Sequence, residues 1–227
     1  MQSFSDRRLT GLVRAIAAGA LALGLLAALV TGPLTPFAPS AHASDTALIE
    51  PTLGEDGLYH HDFFLQSFLD ISEDLADSHA QGKRLVVVFE QRGCIYCKKV
   101  NTEVLADPAI NAYVREHFNV LQLNLFGERH VTDLDGEEMP EKQLARRWGV
   151  LFTPTFIFLP EDPADAAGQT GKEAAVFHMH GAFGKGTFTS AFEWVKQKGY
   201  ATDRHFQQFV ADRMAARQAA ESEAASQ

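Results

Sequence analysis

The residues best equipped for chemistry are the only two cysteines, Cys94 and Cys97. On a helix their spacing puts both sulfurs on one face, close enough to bond if Cys94 lies in the first turn. Cys94 then meets unpaired backbone N–H groups and the positive end of the helix dipole. Both favour a thiolate, and Cys-x-x-Cys thiols fall to pKa values of about 3.5 to 7.5. Cys97, one turn further in, is the more buried, resolving thiol: Cys94 attacks a foreign disulfide, and Cys97 breaks the mixed disulfide that forms. Three other readings compete. A structural bridge is common outside reducing compartments, but so short a loop removes little unfolded-chain entropy. Zinc needs two further ligands, and no other cysteine supplies them. A c-type haem needs His after the second cysteine, where this chain has Lys98. Thiol–disulfide exchange fits best.

The pair is positioned by what precedes it. Leu85 to Phe89 is an unbroken apolar run rich in β-branched residues, as in a strand covered on both faces. Gly93 breaks the run and a helix opens at Cys94. Upstream, Phe64, Phe68, Ile71 and Leu75 recur at helical spacing, predicting a helix from Asp62 to about Ala80, ended by Gly82. Downstream, Asp107-Pro108 starts a helix running to His117, with Asp107 as N-cap and Pro108 at its first position. Phe118 to Leu125 reads as a strand, Asp133 to Gly136 as a turn and Pro140 to Trp148 as a short helix. Thr153-Pro154-Thr155 leads into an apolar strand, Phe156 to Leu159. Pro160 to Lys172 is a loop insertion and Ala174 to His180 a further strand. Two helices follow, one carrying Phe188, Ala191, Phe192 and Val195 and one from about Asp203 to Ala219. The alternation predicts one α/β domain with an extra N-terminal helix and a C-terminal helical extension.

At 227 residues and 46% hydrophobic, the chain can bury one sizeable core. The formal net charge is −9, which argues against a nucleic-acid partner. Residues 1–43 resemble an export signal. Arg7, Arg8 and Arg14 lead, an Ala/Leu-rich span runs from Ala15 to Val30, and Ala41-His42-Ala43 is a small-x-small cleavage site. An uncleaved membrane anchor is the competing reading, but Gly32, Pro33, Pro36 and Pro39 after the span favour removal after Ala43. Arg7-Arg8 is a twin arginine, yet Leu9-Thr10-Gly11 does not continue that signal, so the export route stays open. The expected division is a leader at 1–43, a flexible lead-in at 44–61, the domain at 62–200, a C-terminal helix at 201–220 and a disordered tail at 221–227.

The strand, the Cys-x-x-Cys helix, the alternating β and α elements and the Thr-Pro before a strand together resemble the thioredoxin superfamily, over roughly Asp62 to Gly199. Within it, Phe89-Glu90-Gln91-Arg92-Gly93-Cys94-Ile95-Tyr96-Cys97, the Trp-Gly-Val before Thr-Pro and Lys-Gly-Tyr at 198–200 are similar to exported thioredoxin-like proteins of the SoxW type. The resemblance implies a central mixed sheet flanked by helices and no bound cofactor. It further implies a periplasmic reductant of disulfides on sulfur-oxidation or related proteins, fed by a membrane thiol transporter. Thr153-Pro154 is by this resemblance the cis-proline loop facing the cysteines, with Thr153, Pro154, Ile95 and Tyr96 binding substrate; from the residues alone, cis and trans both stay open.

Two departures matter. The buried Asp that thioredoxins carry six residues before the first cysteine is Val88 here. Glu90 is the nearest carboxylate in sequence and a proton acceptor for Cys97 if buried, although a strand-end Glu more often faces solvent. Ile95-Tyr96 matches neither Gly-Pro nor Pro-His, leaving the direction of electron flow open. A disulfide oxidase or isomerase is therefore an alternative, as is a metallochaperone using the cysteines with His178 or His180. Those histidines alternate onto one strand face, where exposed or hydrogen-bonded roles are commoner than metal binding. His60-His61 reads as solvated, Trp148 as core or as an apolar platform with Tyr96, and Arg92, Lys98 and Lys99 as surface charges of small effect.

Overall fold

In the computed structural model, residues 47–226 are described; the leader and its cleavage site lie outside them. The first described element is a small antiparallel hairpin, β1 (Thr52–Leu53) against β2 (Tyr59–His60). Helix α1 (Ile71–Ala80) leads into β3 (Arg84–Glu90), every residue of which is buried. Gly93, at φ +76°, turns the chain into α2 (Ile95–Lys99), which continues as a π-helical turn over Val100–Val104. Helix α3 (Pro108–His117) is capped by Asp107, whose carboxylate accepts the N–H groups of Ala109 and Ile110, and has Pro108 in its first turn. Strand β4 (Phe118–Asn124) follows directly.

A second small hairpin pairs β5 (His130–Thr132) with β6 (Glu138–Pro140) around the Asp133–Gly136 turn, and α4 (Glu141–Arg147) follows. Strand β7 (Thr155–Phe158) is joined through a 3₁₀ turn (Pro163–Ala166) and α5 (Gly171–Ala174) to β8 (Phe177–His180). Helices α6 (Lys185–Lys196) and α7 (Phe206–Ala225) complete the described chain.

The main sheet has the order β4-β3-β7-β8, with β3 parallel to β4 and antiparallel to β7, and β7 antiparallel to β8. Successive side chains of a strand point to opposite faces, so β3 feeds two cores. Val86 and Val88 join Phe156, Phe158, Phe188 and Phe192 beneath α3 and α6. Leu85, Val87 and Phe89 join Ile71, Leu75, Ile157 and Leu144 beneath α1 and α4. This arrangement, a mixed sheet with helices on both faces, is the thioredoxin-like fold.

Four expectations require correction. The predicted helix over Asp62–Ala80 forms only from Ile71. Before it, Leu65 N–H bonds Val120 O, Phe64 bridges Val120, and Leu69 adopts φ +66°, so the backbone is committed to the sheet edge and not to a helix. Phe68, counted in the apolar stripe, is 99% exposed. The lead-in expected to be flexible holds the β1–β2 hairpin, and Ile49 N–H bonds Ala106 O. Ala174 belongs to α5, where a Thr170–Glu173 capping box favours a helical turn over a strand start. The tail expected from Glu221 is helical to Ala225, in keeping with the helix propensity of its Ala and Glu residues.

The aromatic core beneath α6 is dense. Phe192 lies 4.6 Å from Phe188, 4.8 Å from Phe118 and 5.0 Å from Phe158, centroid to centroid. Phe192→Ala is expected to lower stability by about 3–5 kcal/mol, read from urea unfolding followed by tryptophan fluorescence.

Candidate active site

Cys94 and Cys97 are joined as a disulfide, with their Cα atoms 5.2 Å apart. Cys94 is the N-cap of α2, and its Sγ accepts the Cys97 N–H at 3.0 Å. The two sulfurs are not equivalent. Cys94 is half-buried and meets the loop before β7: Thr153 Oγ1 donates to its Sγ at 3.3 Å, and Thr153 O lies 3.6 Å away. Cys97 is only 3% exposed. The Thr153–Pro154 bond is cis, as the resemblance implies, and Gly181 N–H ties Pro154 O to the end of β8.

Apolar side chains surround Cys94. Ile95 and Tyr96 are exposed, and a cavity of about 340 Å³ brings them together with Phe126, Leu151, Phe152 and Thr153. Of the residues singled out in the sequence, Ile95, Tyr96 and Thr153 come to one mouth, and Pro154 is buried next to Thr153. Sequence reasoning missed Phe126, Leu151 and Phe152, whose only signal was large apolar residues in loops flanking the cysteine and Thr-Pro motifs. Trp148 is not part of this platform. It is buried, packs edge-on against Phe89 and donates Nε1–H to Asp133 at 3.0 Å.

Behind Cys97 lies Glu90. The expectation that it faces solvent is overturned: the residue is 1% exposed. One carboxylate oxygen accepts from Asn101 Nδ2 at 2.7 Å and the other from Gln122 Nε2 at 2.6 Å. Asn101 Nδ2 also reaches Cys97 O at 2.9 Å, so a single amide joins the carboxylate to the backbone of the resolving cysteine. Burial pushes the Glu90 pKa up to about 7, against the pull of the two amide bonds, and the Asp56 charge adds to the rise. Glu90 lies two residues beyond Val88 on the same face of β3, so this face carries a buried carboxylate one pleat further along.

Asn101 and Gln122 were not foreseen. Asn101 is turned inward by the π-helical stretch, which no sequence rule locates. Gln122 left a signal, a polar residue in β4 on the same face as buried Val120. His61, expected in solvent, is 4% exposed between Phe63 and Phe64, and burial pulls its pKa down to about 4. Arg92 is not a free surface charge either: it donates to Glu55 O and Asp56 O. His178 and His180 stack at 5.7 Å on the edge strand, and Nδ1 of His180 lies 3.4 Å from Thr155 Oγ1. Among the described residues, no three His, Cys, Asp or Glu side chains are grouped to hold a metal, and no helix is long and apolar enough to cross a membrane.

A thioredoxin-like fold with a Cys-x-x-Cys pair at the head of a helix and a cis proline beside it defines the class. Residues 71–180 match the model of the thioredoxin-like domain family. Similar solved structures include a thioredoxin-fold protein from Helicobacter pylori (21% identity, covering 59% of this chain and 81% of that one, TM-score 0.43). Others are a thioredoxin from Thermus thermophilus (29% identity, 57% and 86%, TM-score 0.44) and the DsbH oxidoreductase (14% identity, 62% and 86%, TM-score 0.37). No curated protein matches by sequence.

The raised Glu90 pKa has a consequence for stability. Below pH about 4.5 the carboxyl is protonated in both folded and unfolded chains. As pH rises toward 7 the unfolded chain ionises first, so stability falls, and above pH 7 the loss is complete, on the order of 3 kcal/mol. Glu90→Gln should remove this component. The difference in urea midpoint between variant and wild type is expected to change between pH 4.5 and 7 and to be flat above, which cancels the titrations of Asp74 and His61 common to both.

Proposed function

We propose that the chain is a thiol–disulfide oxidoreductase that works in the periplasm as a reductant of disulfides on exported proteins, in the manner of the SoxW type. The observation that carries the reading is the asymmetry of the pair: Cys94 sits at an apolar mouth against Thr153, while Cys97 is enclosed beside a buried carboxylate. The more accessible sulfur suits the nucleophile and the enclosed one the resolving thiol.

The reductive half-reaction starts from the dithiol. The Cys94 thiolate attacks a substrate disulfide, forming a mixed disulfide and releasing one substrate thiolate. Cys97 passes its proton toward Glu90 and attacks Cys94 Sγ, which breaks the mixed bond and releases the second substrate thiolate. Two electrons pass to the substrate, and the Cys94–Cys97 disulfide is left. A dithiol donor, such as a membrane thiol transporter, must then restore the reduced pair. Thr153 offers backbone hydrogen bonds to an extended substrate segment. Ile95, Tyr96, Phe126, Leu151 and Phe152 favour apolar residues next to the substrate cysteine. Sulfur-oxidation proteins are the partners that the SoxW resemblance suggests.

Cys97→Ser, unable to resolve, is expected to accumulate mixed disulfides with periplasmic proteins, visible as thiol-sensitive bands and identified by mass spectrometry, whereas Cys94→Ser should give none. Redox titration of the wild type should place the pair nearer about −270 mV than about −120 mV. No trapped protein together with no exchange with small thiols would reject the catalytic reading, and a potential near the oxidising limit would reverse the direction of transfer.

A further inference from the structure

The β1–β2 hairpin precedes the residues that match the thioredoxin-like domain, yet it is built onto the redox centre. Arg92, two residues before Cys94, donates Nη2–H to Glu55 O at 2.8 Å and Nε–H to Asp56 O at 3.1 Å. Gln122 Nε2 donates to Tyr59 O at 3.0 Å as well as to Glu90. The same side-chain amide therefore links the hairpin backbone to the buried carboxylate. Leu58, just before the return strand, is 2% exposed. Between hairpin and cysteines lies a cavity of about 280 Å³, with Leu53, Leu58 and Tyr59 on one side and Glu90, Cys94 and Cys97 on the other.

We propose that residues 52–60 are a positioning element of the redox centre: clamped by Arg92 and joined through Gln122, the hairpin orients Glu90 and keeps bulk water from it, so that proton transfer between Cys97 and Glu90 depends on a segment outside the shared domain. This rests on the redox reading above. A carboxylate beneath a removable cover differs from one buried by the sheet alone, because losing the cover rehydrates the charged form and stabilises it.

The charged and titratable groups around Glu90 come from several elements. Asp56 lies on the hairpin; burial opposes its ionisation, but bonds from Leu58 N–H and His60 hold its pKa below the usual carboxylate value, so it is negative at neutral pH. Cys97 and Lys98 line the cavity from α2, and Arg92 from the turn before it. Buried His61 stands beside Asn101 and is neutral at pH 7. Arg129 donates to Gln122 O and pairs with Glu141. Of these, the hairpin groups are the ones that leave with the cover.

Gly57 provides the test. It sits at φ +79°, and a Cβ there would lie 2.7 Å from Arg92 Cγ, so Gly57→Val disrupts both the turn and its clamp. Arg92→Ala removes the clamp and leaves the hairpin sequence intact. In the full chain, the rate at which Cys97 resolves a preformed mixed disulfide is measured against pH, and amide hydrogen exchange of residues 52–60 reports detachment. The wild type should show an inflection near pH 7 that Glu90→Gln abolishes. Both hairpin variants should speed exchange at residues 52–60 and move the inflection down by about one pH unit.

An inflection that stays near pH 7 while the hairpin exchanges freely would overturn the proposal. So would unchanged exchange in both variants, since Arg92 would then be no clamp. A wild-type profile that Glu90→Gln does not alter fails at Glu90 itself, and a wild type that exchanges no disulfides fails at the redox reading; either removes the proposal by a recognisably different result.

Discussion

The complete burial of β3 is the constraint on which the rest depends. The strand is hydrogen-bonded to β4 on one edge and β7 on the other, and its side chains alternate into two cores. A strand so placed cannot shift register without exposing Leu, Val and Phe side chains to water. Its C-terminal end is thereby a fixed point, and Gly93 hands the chain from that point to Cys94. The same rigidity lets a carboxylate stand at the last position of the strand. Glu90 is tolerated there because each of its oxygens receives an amide N–H, and because the proton is retained until near neutral pH.

The two sulfurs consequently face different surroundings. Cys94 looks toward the cis loop and a mouth of exposed apolar side chains, a surface that other chains can reach. Cys97 is enclosed, and its carbonyl accepts from the Asn101 amide that also holds Glu90. The two sides of one short helix thus differ in character, an apolar mouth on one and a buried, amide-bonded carboxylate on the other.

Features fixed by local chemistry were legible in the sequence. The apolar run at 85–89 had no alternative to a buried strand, Asp107-Pro108 specified its own cap, and the Cys-x-x-Cys spacing placed the two sulfurs within bonding distance at the head of a helix. What escaped was set by long-range partners. Phe64 has helical spacing to Ile71, but its segment is paired with the Val120 backbone instead. Residues 47–60 have a loop composition and are ordered by Arg92 and Gln122, which lie 30 or more positions away. Glu90 looked solvated because nothing local says that Asn101, turned in by a π-helical stretch, and Gln122 of β4 will enclose it.

Helix α7 has a consequence of a different kind. Only Phe209 along its 20 residues is buried, flanked by Arg204 and Arg213, with Arg213 also pairing Glu193 of α6. Every residue from Ala215 to Ser226 is exposed. A peptide bond in that stretch can enter a protease cleft without any core side chain leaving its place. Trimming from the C-terminus would thus stop near the Phe209 anchor, and the product would keep the sheet, both cysteines and the hairpin intact.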